Sequence, residues 1–173
     1  MKTLKTTAIA ASLLASIAAS QSAVAEVSGN VALTSNYIWR GFTQNMEDPA
    51  IQGGFDYEAS GFYAGVWGSS VDFGGDESTE VDLYGGYSFD VGPVGLDFGV
   101  IAYKYFGGAE ATGDFEELYA GASLAGFGLT YYSGLDDADD NIELSYGYDF
   151  TGVSLALTYG CLLYTSPSPR DRG

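Results

Sequence analysis

Apolar and polar residues alternate along most of the chain, and this period of two limits the possible folds more than any other feature. From residue 141 to 150 every second residue is aliphatic or aromatic, and the residues between them are polar or glycine. The same pattern occurs over residues 153–160 and, less regularly, over residues 79–90. Successive side chains of a β-strand point to opposite faces, so this alternation indicates strands with one apolar face. The chain after residue 25 has no apolar stripe with helical spacing and is predicted to be all-β.

Nine strands account for the alternation and for the turn residues between its blocks. Most have roughly the 9–11 residues that a tilted strand needs to cross a bilayer. The predicted strands are 27–42, 50–58, 62–73, 79–90, 94–105, 115–124, 127–133, 141–150 and 153–160.

The connections between these strands alternate between short and long. This rhythm is typical of an outer-membrane barrel, with short periplasmic turns and longer extracellular loops. The predicted fold is therefore an antiparallel up-and-down transmembrane β-barrel over residues 26–160, and a soluble periplasmic β-sandwich is the weaker alternative. Short turns are expected at 59–61, 91–93, 125–126 and 151–152, and longer acidic or Gly-rich loops at 43–49, 74–78, 106–114 and 134–140.

Aromatic residues are concentrated near the ends of the predicted strands. Two aromatic belts that flank an aliphatic band are typical of the lipid-facing surface of a barrel. The group near the loops is Tyr37, Trp39, Phe73, Tyr103, Phe115 and Tyr131, and the group near the turns is Phe55, Tyr57, Tyr63, Phe89, Phe127, Tyr148 and Phe150.

The two ends of the chain differ in composition from the alternating part. Residues 1–25 combine two lysines, an apolar run over 8–19 and small residues before Glu26, which predicts a secretory signal peptide. The run "CLLYTSPSPRDRG" breaks the alternation, and residues 161–171 resemble translated sequencing-adapter sequence (a transposase mosaic end). Residues 161–173 are therefore expected to be a non-native tail on a truncated barrel, since nine is also an odd strand number for a bacterial barrel.

The charge and the missing residue types exclude several functions. The chain has no histidine, and between residues 26 and 160 it has 22 acidic and two basic residues. Phosphate binding needs clustered Lys and Arg, so no nucleic-acid partner is expected. No catalytic arrangement and no cofactor are predicted either. The acidic loop at 134–141 offers oxygen ligands for Ca²⁺ but lacks the spacing of an EF-hand, so a solvated loop is preferred and no metal site is assigned.

Arg40 is one of the two basic residues between residues 26 and 160. The alternation places it on the polar face of the first predicted strand, which is the lumen of a barrel. An arginine on the lipid face would cost roughly 2–4 kcal/mol at mid-bilayer, which also favours the lumen. Seven acidic residues share this face by parity, including Glu117, and the partners expected for Arg40 are Asp56, Glu80, Asp82 and Glu143.

Residues 28–73 are similar to a known family. The segments "VSGNVALTSNYIWRGFTQ", "DPAIQGGFDY" and "GFYAGVWGSSVDF" resemble the opening of the TorF-family porins, the Gcw_chp group of proteobacterial outer-membrane proteins. After residue 87 the likeness is one of pattern. The residues that carry it are Ser35, Tyr37, Arg40, Gly41, Thr43, Gln44, Pro49, Ile51, Gln52 and Gly53.

The resemblance implies a channel in the outer membrane. With an acidic lumen, the expected function is passive diffusion of small hydrophilic solutes or ions with a mild preference for cations. The expected partners are outer-membrane lipid and these solutes, and the oligomeric state is left open. The alternative is a non-conducting structural or adhesive barrel whose acidic loops bind ions.

Overall fold

The computed structural model describes residues 25–76, 78–107, 113–135, 138–151 and 153–163. The predicted signal peptide falls outside these residues except for its last one, and so does the predicted tail from residue 164 onward. Eleven strands form in this part of the chain. They are β1 (Glu26–Thr34), β2 (Ile38–Trp39), β3 (Phe42–Thr43), β4 (Ala50–Ala59), β5 (Phe62–Ser70), β6 (Thr79–Val91), β7 (Val94–Phe106), β8 (Phe115–Leu124), β9 (Phe127–Gly134), β10 (Asp140–Phe150) and β11 (Val153–Leu163).

Nine of these strands form one antiparallel sheet in which neighbours in space follow each other along the chain. The order is β1-β4-β5-β6-β7-β8-β9-β10-β11, and β2 and β3 pair separately. The predicted all-β, antiparallel, up-and-down arrangement is therefore confirmed. Within the described residues β1 and β11 each pair on one side alone, so the sheet is open at two edges.

The short turns lie at one end of the sheet and the long connections at the other. Ser60–Gly61 and Ala125–Gly126 are two-residue turns with positive φ at both positions (53° and 84°, 51° and 87°). Such turns match the twist of the strands that they join and require left-handed backbone, which glycine adopts without strain. Local turn chemistry therefore sets the register of these two hairpins, and the turns predicted at 59–61 and 125–126 are confirmed. Part of the turn predicted at 151–152 lies outside the described residues.

Two predicted strands are too long. The first, at 27–42, ends at Thr34 because the next residues form hydrogen bonds outside the sheet: the Tyr37 amide donates to Asn45 Oδ1 at 3.0 Å. The third, at 62–73, ends at Ser70, and the Asp72 amide donates to the Gln44 carbonyl at 2.9 Å. Hydrogen bonds to the Asn45 side chain in the first case, and to the Gln44 backbone in the second, replace strand pairing.

The last strand is longer than predicted. Residues 161–163 continue β11 and pair with residues 140–142 of β10. This pairing extends the sheet into the segment expected to be non-native, and it leaves the origin of that segment untested.

The two faces of the sheet differ in polarity. On β6 the residues with even numbers from Glu80 to Ser88 lie on one face, and Val81, Leu83 and Phe89 lie on the other. The first face is termed the inner face, because the β2–β3 segment covers it, and the second is termed the outer face. Polar side chains are buried on the inner face, and large apolar side chains are exposed on the outer face. This is the reverse of a sheet in a soluble protein.

Candidate functional site

A small hairpin turns inward between β1 and β4. Residues 35–48, termed the inner hairpin, contain β2 and β3 and a two-residue turn at Arg40–Gly41. Both turn residues have positive φ, 47° and 88°. Left-handed backbone is uncommon for a residue with a long side chain, so the contacts of Arg40 must outweigh the strain.

Tyr37 anchors the first part of the hairpin. Its hydroxyl donates to Glu80 Oε1 at 2.9 Å, and its ring meets Trp67 edge-on with the centroids 5.4 Å apart. Burial raises the pKa of Tyr37, and the Glu80 and Asp82 carboxylates raise it further. The hydroxyl therefore remains a hydrogen-bond donor to Glu80 at any physiological pH.

Trp39 anchors the tip of the hairpin. It contacts Tyr103 and Phe115, with ring centroids 5.7 and 6.0 Å away. Tyr103 and Phe115 themselves stack at 4.3 Å. These aromatic rings were expected in the belt facing lipid, and so were Tyr37 and Tyr63. The structure corrects this, because all five lie on the inner face or on the hairpin that covers it.

Arg40 makes the strongest polar contact of the hairpin. Its Nη1 and Nη2 donate to the two carboxylate oxygens of Glu117 at 2.7 and 2.8 Å. Both side chains are almost fully buried, with 4% and 1% of their surface exposed. The guanidinium also lies over the rings of Trp39 and Tyr132, 4.2 and 4.7 Å from the centroids. Burial alone would lower the pKa of Arg40, but the hydrogen bonds and charge of Glu117 raise it above its ordinary value.

The partners expected for Arg40 are corrected in part. Glu143 is a second ion-pair partner, at 3.6 Å from Arg40 Nε. In the described part of the chain Asp56, Glu80 and Asp82 form no ion pair with Arg40. The principal partner is Glu117, which shares their parity but is not among the four expected partners. Parity predicts the face on which a residue lies but not its position along the strand. The inward turn at Arg40 determines which acids along the strands the guanidinium can reach.

The three other acids lie elsewhere on the inner face, where Glu80 and Asp82 are next to each other. Asp56 accepts a hydrogen bond from the Tyr84 hydroxyl, and Glu80 accepts the one from Tyr37. Asp82 is buried opposite Trp67 of β5. The structure thus places all five predicted site residues on or against the inner face. It brings Arg40 and Glu143 together at the hairpin, and it brings Glu80 and Asp82 together on β6.

Tyrosine and acidic side chains line the half of the inner face nearer the short turns. The Tyr63 hydroxyl donates to Asp97 Oδ1 at 2.6 Å and also contacts the Tyr119 hydroxyl. Tyr63, Tyr84 and Tyr119 lie over glycines of neighbouring strands, where a Cβ would overlap their rings. The glycines create the space in which this aromatic lining fits.

Five buried polar atoms on and around the inner hairpin have no hydrogen-bond partner in the described residues. Atoms of this kind are rare in folded proteins, since each carries a desolvation cost. They are Arg40 Nε, Gln52 Nε2, Glu80 Oε2, Asp82 Oδ1 and Asn141 Oδ1.

Lys104 lies on the outer face near the long connections. Its Nζ contacts Glu116 at 2.9 Å and Asp114 at 3.3 Å, and all three side chains are about one third exposed. It pairs with acids on its own face and takes no part in the contacts of the hairpin.

Two kinds of feature are absent from the described residues. No helix there is long and apolar enough to cross a membrane. In the same residues no three acidic or cysteine side chains are grouped so that they could hold a metal ion. Asp136 and Asp137 of the acidic loop lie outside the described residues.

Most of the chain matches one known protein family. The Gcw_chp family, described as a bacterial protein of unknown function, matches residues 18–158. The chain belongs to the Gcw_chp family. No curated protein and no solved structure matches it. The Gcw_chp match includes every strand from β1 to β10 and therefore the inner hairpin and its anchors.

Proposed function

We propose that this Gcw_chp protein is an outer-membrane porin of the TorF type, through which small hydrophilic solutes or ions diffuse passively. The observation that carries the proposal is the reversed polarity of the sheet. Apolar side chains cover its exposed face, and polar side chains are buried on the other. A surface of this kind is stable when lipid covers it.

The outer face is too apolar for a surface in contact with water. Leu33, on edge strand β1, is 82% exposed, and Leu157, on edge strand β11, is 58% exposed. Contiguous apolar surface on this scale marks a site of protein or membrane contact. Further large apolar residues that are exposed on the strands between them include Phe55, Leu83, Phe98, Val100, Leu118, Leu129 and Leu144.

In this proposal further strands close the sheet. An unpaired strand edge cannot lie in lipid, because its backbone amides and carbonyls would have no partner. The edges at β1 and β11 are therefore joined through additional strands in the complete barrel. Export by the signal peptide at residues 1–25 brings the chain to the outer membrane.

A preference for cations follows from the charge of the inner face. Arg40 is the one basic residue that reaches this face among the described residues, and Glu117 and Glu143 neutralise it. Rings of acidic side chains favour cations in a channel. The acidic residues on the inner face, by strand register, are Glu26, Asp56, Glu58, Glu80, Asp82, Asp90, Asp97, Glu117, Glu143 and Asp149.

Conductance across a planar lipid bilayer tests the function. The full-length protein is added under a salt gradient, after heat-dependent mobility on a denaturing gel has shown that it is folded. We expect discrete current steps, with a reversal potential whose sign is that of a cation-selective channel. A folded barrel that gives no steps would contradict the porin function.

The second candidate is a non-conducting barrel. The inner hairpin favours it, because Tyr37, Trp39 and Arg40 fill part of the inner face. In that case the acidic long connections would be the functional part, and the folded protein would remain silent in the bilayer.

A further inference from the structure

We infer that Glu117 is a positioning residue that holds the inner hairpin docked across the inner face, and that the docked hairpin narrows the passage. The effect on conduction rests on the proposed porin function. The docking itself does not, so the two are measured separately.

The hairpin crosses the sheet instead of running along one strand. Tyr37 contacts Trp67 on β5 and Glu80 on β6. Trp39 contacts Tyr103 on β7 and Phe115 on β8. The next anchor, Arg40, continues the series onto β8, β9 and β10. Three residues within a run of four thus contact six adjacent strands, and a segment in this position narrows a path along the inner face.

Arg40 completes the crossing through side chains of three strands. It binds Glu117 of β8, lies over Tyr132 of β9 and is 3.6 Å from Glu143 of β10. Glu117 makes the closest of these contacts and binds through both oxygens. Its Oε2 also accepts the Tyr103 hydroxyl at 3.1 Å, which fixes the carboxylate in place. Glu117 is therefore the residue on which the position of Arg40 depends.

Two features oppose docking. The backbone is left-handed at Arg40, Met46 and Glu47, with φ of 47°, 52° and 68°. Strain of this kind occurs where surrounding contacts enforce it, often in segments that change position. Arg40 Nε and Glu80 Oε2, which lie at two different contacts of the docked hairpin, have no hydrogen-bond partner in the described residues, and water would satisfy them if the hairpin left. Loss of the Glu117 contact is therefore expected to release the hairpin.

Trp39 reports on docking directly. Trp39 and Trp67 are the two tryptophans of the sequence, so Trp67→Phe leaves Trp39 as the reporter, with Trp39→Phe as the blank. In this background Glu117→Gln is compared with Glu116→Gln. Glu116 is the matched control, because it is the adjacent acid on β8, points to the outer face and pairs with Lys104.

Acrylamide quenching of Trp39 in the folded full-length protein gives the docking result. We expect Glu117→Gln to raise the quenching constant at least twofold, Glu117→Asp to restore part of the protection, and Glu116→Gln to change nothing. If Glu117→Gln does not fold, Arg40→Lys replaces it, because lysine keeps the charge but loses the two-point contact. Unchanged quenching in the folded variant would overturn the inference.

Single-channel conductance of the same variants tests the second part. We expect a larger conductance for Glu117→Gln than for Glu116→Gln. A rise in quenching with equal conductance would overturn the role of the hairpin in the passage. A rise in quenching with no current in any variant would overturn the porin function and leave the docking role of Glu117 in place.

Discussion

Arg40 combines a buried charge with a left-handed backbone, and each of these is costly alone. The bidentate contact with Glu117 and the two aromatic rings offset the cost. An arginine suits this position better than a lysine, because its planar group binds a carboxylate at two points and stacks on rings at the same time. Tyr37 and Trp39 anchor the rest of the hairpin, and the contacts of its tip with β9 and β10 depend on this one side chain.

Replacement of Arg40 tests this dependence. Arg40→Ala leaves Glu117 as a buried carboxylate without its cation, and breaking a buried pair in this way costs about 3–5 kcal/mol. We expect a loss of that size in the free energy of unfolding, measured by urea titration of the folded protein. Lys104→Ala is the control, because its ion pairs lie at the surface and should contribute much less. Equal losses in the two variants would contradict the buried contact.

The inner hairpin explains why sequence reasoning located the sheet but not the site. Strand positions follow from local information, since alternation and turn residues lie next to each other in the chain. In the segment from Thr34 to Thr43 strict alternation stops, because Ser35 and Asn36 are both polar and residues 37–39 are all apolar. Tyr37 and Trp39 nevertheless keep the parity of Leu33 in β1, so the segment resembles a continuation of that strand. The signals that distinguish it are Asn36, Asn45 and the Arg-Gly pair. Asn-Gly or Gly-Gly would mark a turn of this type more clearly.

The acidic partners predicted for Arg40 were wrong in part, for a related reason. Parity identified the inner face correctly for each acid in the sheet, but the distance along the strand is set by the inward fold of the hairpin. Glu117 and Glu80 lie at similar positions near the long connections, so sequence alone could not rank them. Only the turn at Arg40 directs the guanidinium to β8.

Gly41 tests the hairpin as a unit. Its φ is +88° and no atom lies within 4 Å of the position of a Cβ, so Gly41→Ala adds strain without a clash. We expect a loss of about 1 kcal/mol in stability and increased acrylamide quenching of Trp39. Gly92→Ala is the matched control, because Gly92 also has positive φ (+62°) and open space but lies in a short turn at the other end. Gly92→Ala should leave the quenching unchanged, and an equal effect in both would argue against a docked hairpin.

The protein as a whole is organised by the contrast between its two faces. One side of nine strands is apolar and exposed, and the other holds acids, tyrosines and a hairpin that covers them. Both the porin and the non-conducting barrel require the outer face to lie in lipid. A soluble sandwich would instead bury that face against a second sheet, and within the described residues no second sheet covers it.

The accessibility of alternate residues on β10 tests this claim most directly. Nitroxide labels are placed one at a time at residues 143–148, with Cys161 replaced by Ser where that residue is present, and the full-length protein is reconstituted in liposomes. We expect collision with oxygen to be high at 144, 146 and 148 and low at 143, 145 and 147, because the first three lie on the outer face. Equal values at all six positions, or free access of a water-soluble nickel reagent to 144, 146 and 148, would contradict a lipid-facing sheet.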